Sequence, residues 1–212
     1  MEHPIIPGFC SVFIGVRRTV YLNLRIHQIL TMVKSGQFEV AIGNLRSLLE
    51  TDEEKYNQEK SRLLSFTPAC TFTGYRNSKL IRSESRILVI DFDHLSDVIY
   101  AKALVCDDPH TLACFISPSG RGIKVFVKRY SHRYDSYASS YQAASIYYRR
   151  ILREGFDKAD DIARLCFLSH DPELYWNPRS YEINYKITRL KYNENRRNFY
   201  AINERTEFDE FW

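Results

Sequence analysis

The run Arg86-Ile87-Leu88-Val89-Ile90-Asp91-Phe92-Asp93 decides how the rest of the chain is read. Between Arg86 and Asp91 it is apolar without a break and of strand length, as expected of a strand buried on both faces. Downstream, Ser96 opens a helix through residue 105, and Asp107-Asp108-Pro109 ends it. Residues 112–117 read as a strand, and the tight turn Ser117-Pro118-Ser119-Gly120-Arg121-Gly122 leads into another over 123–127. A long helix is expected over 134–154, with Tyr137, Tyr141, Ala144, Tyr148 and Ile151 on one stripe and Gly155 at its C-terminal stop. Residues 164–168 form the last strand. This order predicts an α+β fold, an RRM-like split βαβ unit with a four-stranded antiparallel sheet and two helices on one face.

Upstream of that unit the pattern is mostly helical. Residues 11–16 form a candidate strand. Ile26, Ile29, Leu30 and Val33 then recur at helical spacing, with Gly36 as a stop. Phe38, Ile42, Leu45 and Leu49 mark a second helix. Thr51 and Glu54 stand at capping-box spacing for a third, which should run to about residue 64. Pro68 closes it, 69–73 reads as extended, and Asn77 and Ser78 mark a turn. The expected organisation is one domain over 1–212: an N-terminal α/β subdomain over 1–80, the RRM-like core over 81–180, and a basic tail over 181–212.

With 44% hydrophobic and 26% charged residues, the 212-residue chain is too apolar to be disordered. The 15 tyrosines suit core and helix packing first, and base stacking second. A net charge of +4 does not by itself mark a nucleic-acid binder. The local distribution says more: between Arg121 and Gly155 eight Lys and Arg face two acids, an excess that would attract a phosphate backbone. For Arg149, Arg150 and Arg153 alone, a solvated helix face serves equally well. The five cysteines are scattered and form no CxxC pair, so neither a disulfide scaffold nor a zinc ribbon is indicated. Cys70, Cys114 and Cys166 lie in strand-like runs and read as small buried hydrophobes. No apolar run reaches the roughly 20 residues of a membrane span, and the amino terminus lacks a secretory layout. A reducing, cytoplasmic setting is expected.

Three segments carry candidate chemistry. Asp91 and Asp93 lie two apart where the buried strand runs out, so both carboxylates can face one cavity. Adjacent carboxylates repel unless a cation lies between them, and Mg²⁺ or Mn²⁺ prefers such oxygen ligands together with phosphates. Glycosyltransferases, nucleases and plain surface turns also contain DxD. In the second segment, 117–124, Ser117, Ser119, Gly120 and Gly122 would offer amides and hydroxyls to a triphosphate, and Arg121 and Lys124 would add charge. An ordinary hairpin has the same composition. The third segment offers Asp157, Asp160 and Asp161 before a strand that begins at Arg164. Asp157, with Asp161 as alternate, would complete a two-metal site, and Asp160 reads as a capping or loop acid.

Together these segments resemble the three motifs of the archaeo-eukaryotic primase (primase-polymerase) superfamily. The likeness is to the branch of mobile-element and phage proteins known by the VirE-like amino-terminal domain. The acidic pair of the first motif matches Asp91 and Asp93. The Gly-rich hairpin of the second matches Ser119, Gly120, Arg121, Gly122 and Lys124. The apolar-Asp pair of the third matches Phe156 and Asp157, with Arg164 downstream. The likeness extends to Phe66 through Gly74 and to Ser169-His170-Asp171-Pro172. Many members carry His where this sequence has Lys124, and lysine can still neutralise a phosphate. The resemblance implies a template-directed nucleotidyltransferase with two Mg²⁺ or Mn²⁺ ions on Asp91, Asp93 and Asp157. Nucleoside triphosphates would lie against Ser117, Arg121, Lys124 and Arg164, with single-stranded or primed DNA as template. A helicase, in trans or on a longer parent chain, is the implied protein partner, and no membrane is involved. Two other readings compete: a non-catalytic RRM-like module that binds single strands through exposed aromatics on its central strands, and a metal-dependent nuclease.

Overall fold

The computed structural model describes residues 8–129, 136–153 and 161–183. Strands β1 (Phe9–Ile14) and β2 (Leu22–Arg25) precede helices α1 (Ile26–Lys34), α2 (Glu39–Thr51) and α3 (Glu53–Arg62). Strands β3 (Leu64–Thr67), β4 (Cys70–Phe72), β5 (Ile81–Glu84) and β6 (Ile87–Phe92) follow, then helix α4 (Val98–Cys106). Next come β7 (Thr111–Ile116), β8 (Ile123–Arg129) and helix α5 (Tyr137–Leu152). The short strands β9 (Cys166–Phe167), β10 (Tyr175–Trp176) and β11 (Glu182–Ile183) end the described chain. The fold is mixed α+β.

Apolar alternation explains the layering. Leu88, Ile90 and Phe92 of β6 point to one side with Ile123, Val125 and Val127 of β8, and α4 and α5 cover them with Val105, Tyr141, Ala144 and Tyr148. Ile87 of β6, Phe115 of β7 and Phe126 of β8 take the other side. There they meet Val12, Phe66 and the buried stripe Ile26, Ile29, Leu30 and Val33 of α1. Phe66 stacks on Phe126 with ring centroids 6.4 Å apart, which ties the two sheets together. Each such fully buried ring contributes about 1.5–3 kcal/mol.

In the second sheet β8 lies between β6 and β7, antiparallel to both, with β10 beside β7 and β11 beside the end of β8. The expected fourth strand is where the structure departs from the sequence reading. Of 164–168 only Cys166–Phe167 is a strand, and it pairs with β3 in the first sheet, β2-β1-β3-β9, rather than beside β6. A two-residue strand carries too little pattern to specify its partner, so the burial of Cys166 against Phe66 decides it.

Other boundaries moved for local reasons. Residues 64–67 are a strand rather than a helix end, and 22–25 form a strand ahead of α1. The cap of α3 is Asp52, whose carboxylate accepts from the Lys55 amide at 2.9 Å, while Thr51 donates back to the Ser47 carbonyl inside α2. Asp97 rather than Ser96 caps α4. Helix α5 stops at Leu152, with Arg153 in the left-handed region. The expected starting turn at 134, Glu154, Gly155 and the tail beyond 183 lie outside the described residues. Among the described residues no helix is long and apolar enough to cross a membrane.

Candidate functional site

The antiparallel register of β6 on β8, fixed by the apolar faces just described, sets Asp91 opposite Lys124. Directly opposed residues project to the same side, so the pair is forced together on the face that meets the first sheet. The Lys124 ammonium lies 2.6 Å from Asp91 Oδ2, and both side chains are buried. Burial works against the lysine's charge, but Asp91 outweighs it, and with Asp93 also nearby the Lys124 pKa is raised: it stays a cation. Arg164, just ahead of β9, brings its guanidinium to 3.6 Å from the same Asp91 oxygen. The other oxygen, Oδ1, is buried with no hydrogen-bond partner among the described residues.

These three side chains line one pocket, together with Val89, Tyr137 and Cys166. Cys166 lies among the charges. Burial pushes its thiol up to about 12, and Lys124 and Arg164 only partly oppose this, so it remains protonated. Tyr137, likewise raised by burial, closes the pocket from the start of α5. Neither was legible as a site residue. Tyr137 reads as one tyrosine of a helical stripe, and Cys166 as a core hydrophobe. Cys70, Cys114 and Cys166 are indeed buried, as is Cys10.

The 117–122 turn stands beside this pocket without lining it. Gly122 explains the closeness: a Cβ there would collide with the Phe92 carbonyl and lie 3.0 Å from Asp93 Cα and 3.1 Å from Asp93 Oδ1. Only glycine lets the turn close against the end of β6. The turn satisfies itself: Ser117 and Ser119 hydroxyls are 2.9 Å apart, and the Arg121 amide donates to Ser119 Oγ. Gly120 has φ +75° and is braced by Arg46 of α2. The Arg46 guanidinium donates to the carbonyls of Ser117 and His170, both at 3.2 Å, a support with no signature in the sequence. Arg121 points outward, 3.8 Å from Glu50.

The structure thus brings Asp91, Lys124 and Arg164 into one pocket, with the exposed Asp93 and the 117–122 turn next to it. Asp161 lies on the segment that carries Arg164, and its carboxylate accepts from the Ala163 amide at 2.8 Å. Asp157 and Asp160 lie outside the described residues. Among those described, no three His, Cys, Asp or Glu gather as a metal cluster. The orphaned Asp91 Oδ1 is nonetheless the kind of atom a hard cation satisfies, and Asp93 is an exposed carboxylate two residues on.

Fold and pocket define an α+β protein with a buried acid-lysine-arginine site between two sheets. The chain belongs to the family described as BT4734-like, N-terminal domain, whose model matches residues 58–176, more than half of its length and every motif residue discussed above. No curated protein and no solved structure matches it.

Proposed function

We propose that this protein is a template-directed nucleotidyltransferase of the primase-polymerase kind, built on an RRM-like β6-α4-β7-β8-α5 core. The observation that carries the reading is the convergence of Asp91, Lys124 and Arg164, from three separate motifs, on one pocket. Lys124 and Arg164, both already held against a carboxylate, can transfer their charge to the phosphates of a nucleoside triphosphate, and Arg121 at the rim can meet its outer end. The freed Asp91, with Asp93 and Asp157, would hold Mg²⁺ or Mn²⁺. Such ions, when bound, activate an attacking 3′ hydroxyl and stabilise the pyrophosphate leaving group. Positioning and charge neutralisation are the protein's share of lowering the barrier.

A base-stacking RRM platform would need exposed aromatics on its central strands, but Phe115 and Phe126 are fully buried there. The test is incorporation of labelled nucleotides on a primed template with Mn²⁺. Wild-type protein should extend the primer. Asp93→Ala, at an exposed position, should abolish extension with an unchanged melting temperature. Extension by that variant at the wild-type rate would refute the proposal, and degradation of the primer in place of extension would favour a nuclease.

A further inference from the structure

Away from the pocket, two connections that are distant in sequence are zipped together. Residues 15–21 link β1 to β2, and 73–80 link β4 to β5. The Val20 amide donates to the Gly74 carbonyl at 2.8 Å, the Arg76 amide donates to the Arg18 carbonyl at 2.7 Å, and Thr19 bridges to Tyr75. Neither 16–21 nor 73–83 contains an acid, yet together they carry Arg17, Arg18, Arg76, Lys79 and Arg82. Arg17, Arg18, Lys79 and Arg82 are exposed. The acid that follows, Glu84, is already taken by Arg129 at 2.8 Å. Two rings stand out from the same segments, Tyr21 at 61% exposure and Tyr75 at 57%.

The patch is joined to the pocket. Val20 and Ile81 beneath it pack into a small core with Phe13, Phe72, Ile162 and Leu165, and the last two also form a wall of the pocket. Arg76 reaches across to the Ala163 carbonyl at 3.2 Å, one residue before Arg164. A ligand on the patch is therefore one short core away from Asp91.

We propose that the zipped 15–21 and 73–83 segments form a binding surface for an unpaired polynucleotide. Arg17, Arg18, Lys79 and Arg82 neutralise its phosphates, and Tyr21 and Tyr75 stack on its bases. Exposed cations without acids supply the electrostatic part, and exposed rings select bases that are not already stacked in a duplex. Naming that strand the template rests on the polymerising reading above, whereas the binding is measured without it.

The experiment is fluorescence anisotropy of the full chain with labelled oligo-dT and oligo-U of about 20 nucleotides, in EDTA. Arg17→Glu with Arg18→Glu should weaken binding at least tenfold. The same change should flatten the slope of log affinity against log salt by about 0.7 for each phosphate no longer neutralised. Tyr75→Ala should weaken binding about tenfold, within the range for the loss of one stacked base. Circular dichroism melts should coincide for all variants. Unchanged binding by the arginine and tyrosine variants would overturn the proposal, as would equally tight binding of the wild type to duplex DNA or to phosphatidylserine vesicles. If the variants lose binding while no protein incorporates nucleotides, the surface stands and the polymerising reading falls. Primer extension by a wild type that binds no oligonucleotide gives the converse.

Discussion

Two buried lysine-aspartate pairs lie among the described residues, and they are built differently. Lys102 of α4 meets Asp171 at 2.7 Å, and Lys124 of β8 meets Asp91 at 2.6 Å. Both Asp171 oxygens are engaged: Oδ2 also accepts from the Ile116 amide at 2.8 Å, and Oδ1 from the Glu173 amide at 3.0 Å. Lys102 gives a further bond to the Glu173 carbonyl. Asp91 instead leaves one buried oxygen empty and crowds two cations onto the other. An ion pair that fastens a loop to its neighbours engages both carboxylate oxygens. On the proposed reading, a pair that opens for a ligand keeps one oxygen unmet, at a cost in stability.

The sharpest break of this comparison is the double change Asp91→Leu with Lys124→Met. It should lower nucleotide incorporation about a thousandfold or more, while urea unfolding shows stability equal to or above the wild type, since no backbone amide depends on Asp91. The matching change Lys102→Met with Asp171→Leu should cost about 1–3 kcal/mol, because the part-buried amides of Ile116 and Glu173 lose their acceptor. Equal unfolding midpoints for the two doubles would remove the distinction. Gly122→Ala should cost about 1–3 kcal/mol, by forcing the turn away from Phe92 and Asp93, and should impair incorporation as well.

The smallest expected effect concerns Asp108, another well-satisfied carboxylate. Oδ2 accepts from Tyr147 at 2.6 Å and Oδ1 from the His110 amide at 2.9 Å. Burial raises its pKa, but the bonds from His110 and Tyr147 outweigh that, so it sits below the ordinary 3.8. Its contribution is therefore fully present above that value and lost as pH falls through the lower folded value. Asp108→Asn should be less stable by under about 1 kcal/mol at neutral pH, given solvent screening of a half-buried group. That gap should close below about pH 4, as followed by thermal melts across an acid series.

The contrast between the two lysine pairs was half legible. Asp91 stood out because an apolar strand runs straight into it, and Lys124 because it follows a glycine turn. Lys102 carried no signal, and Asp171 entered only within the likeness over 169–172 with no role attached: a lysine on a helix and an aspartate before a proline are ordinary surface residues until packing buries them. Arg46 is hidden for the same reason, since its partners are carbonyls at 117 and 170, which any residue supplies.

By itself the sequence determined the elements with strong periodicity. Continuous apolar runs specify β6, β7 and β8, and helical stripes specify α1, α2 and α5, because burial of one face is written into residue spacing. It also laid the strands around the 117–122 turn alongside the Asp91 strand, whereas the register that sets Asp91 opposite Lys124 came from the structure. Only the tertiary structure decided which sheet takes β9, that Arg164 reaches Asp91, and that two short basic connections lie side by side. Those outcomes depend on segments of about two to eight residues, whose own pattern is too short to outweigh the packing of the cores they join.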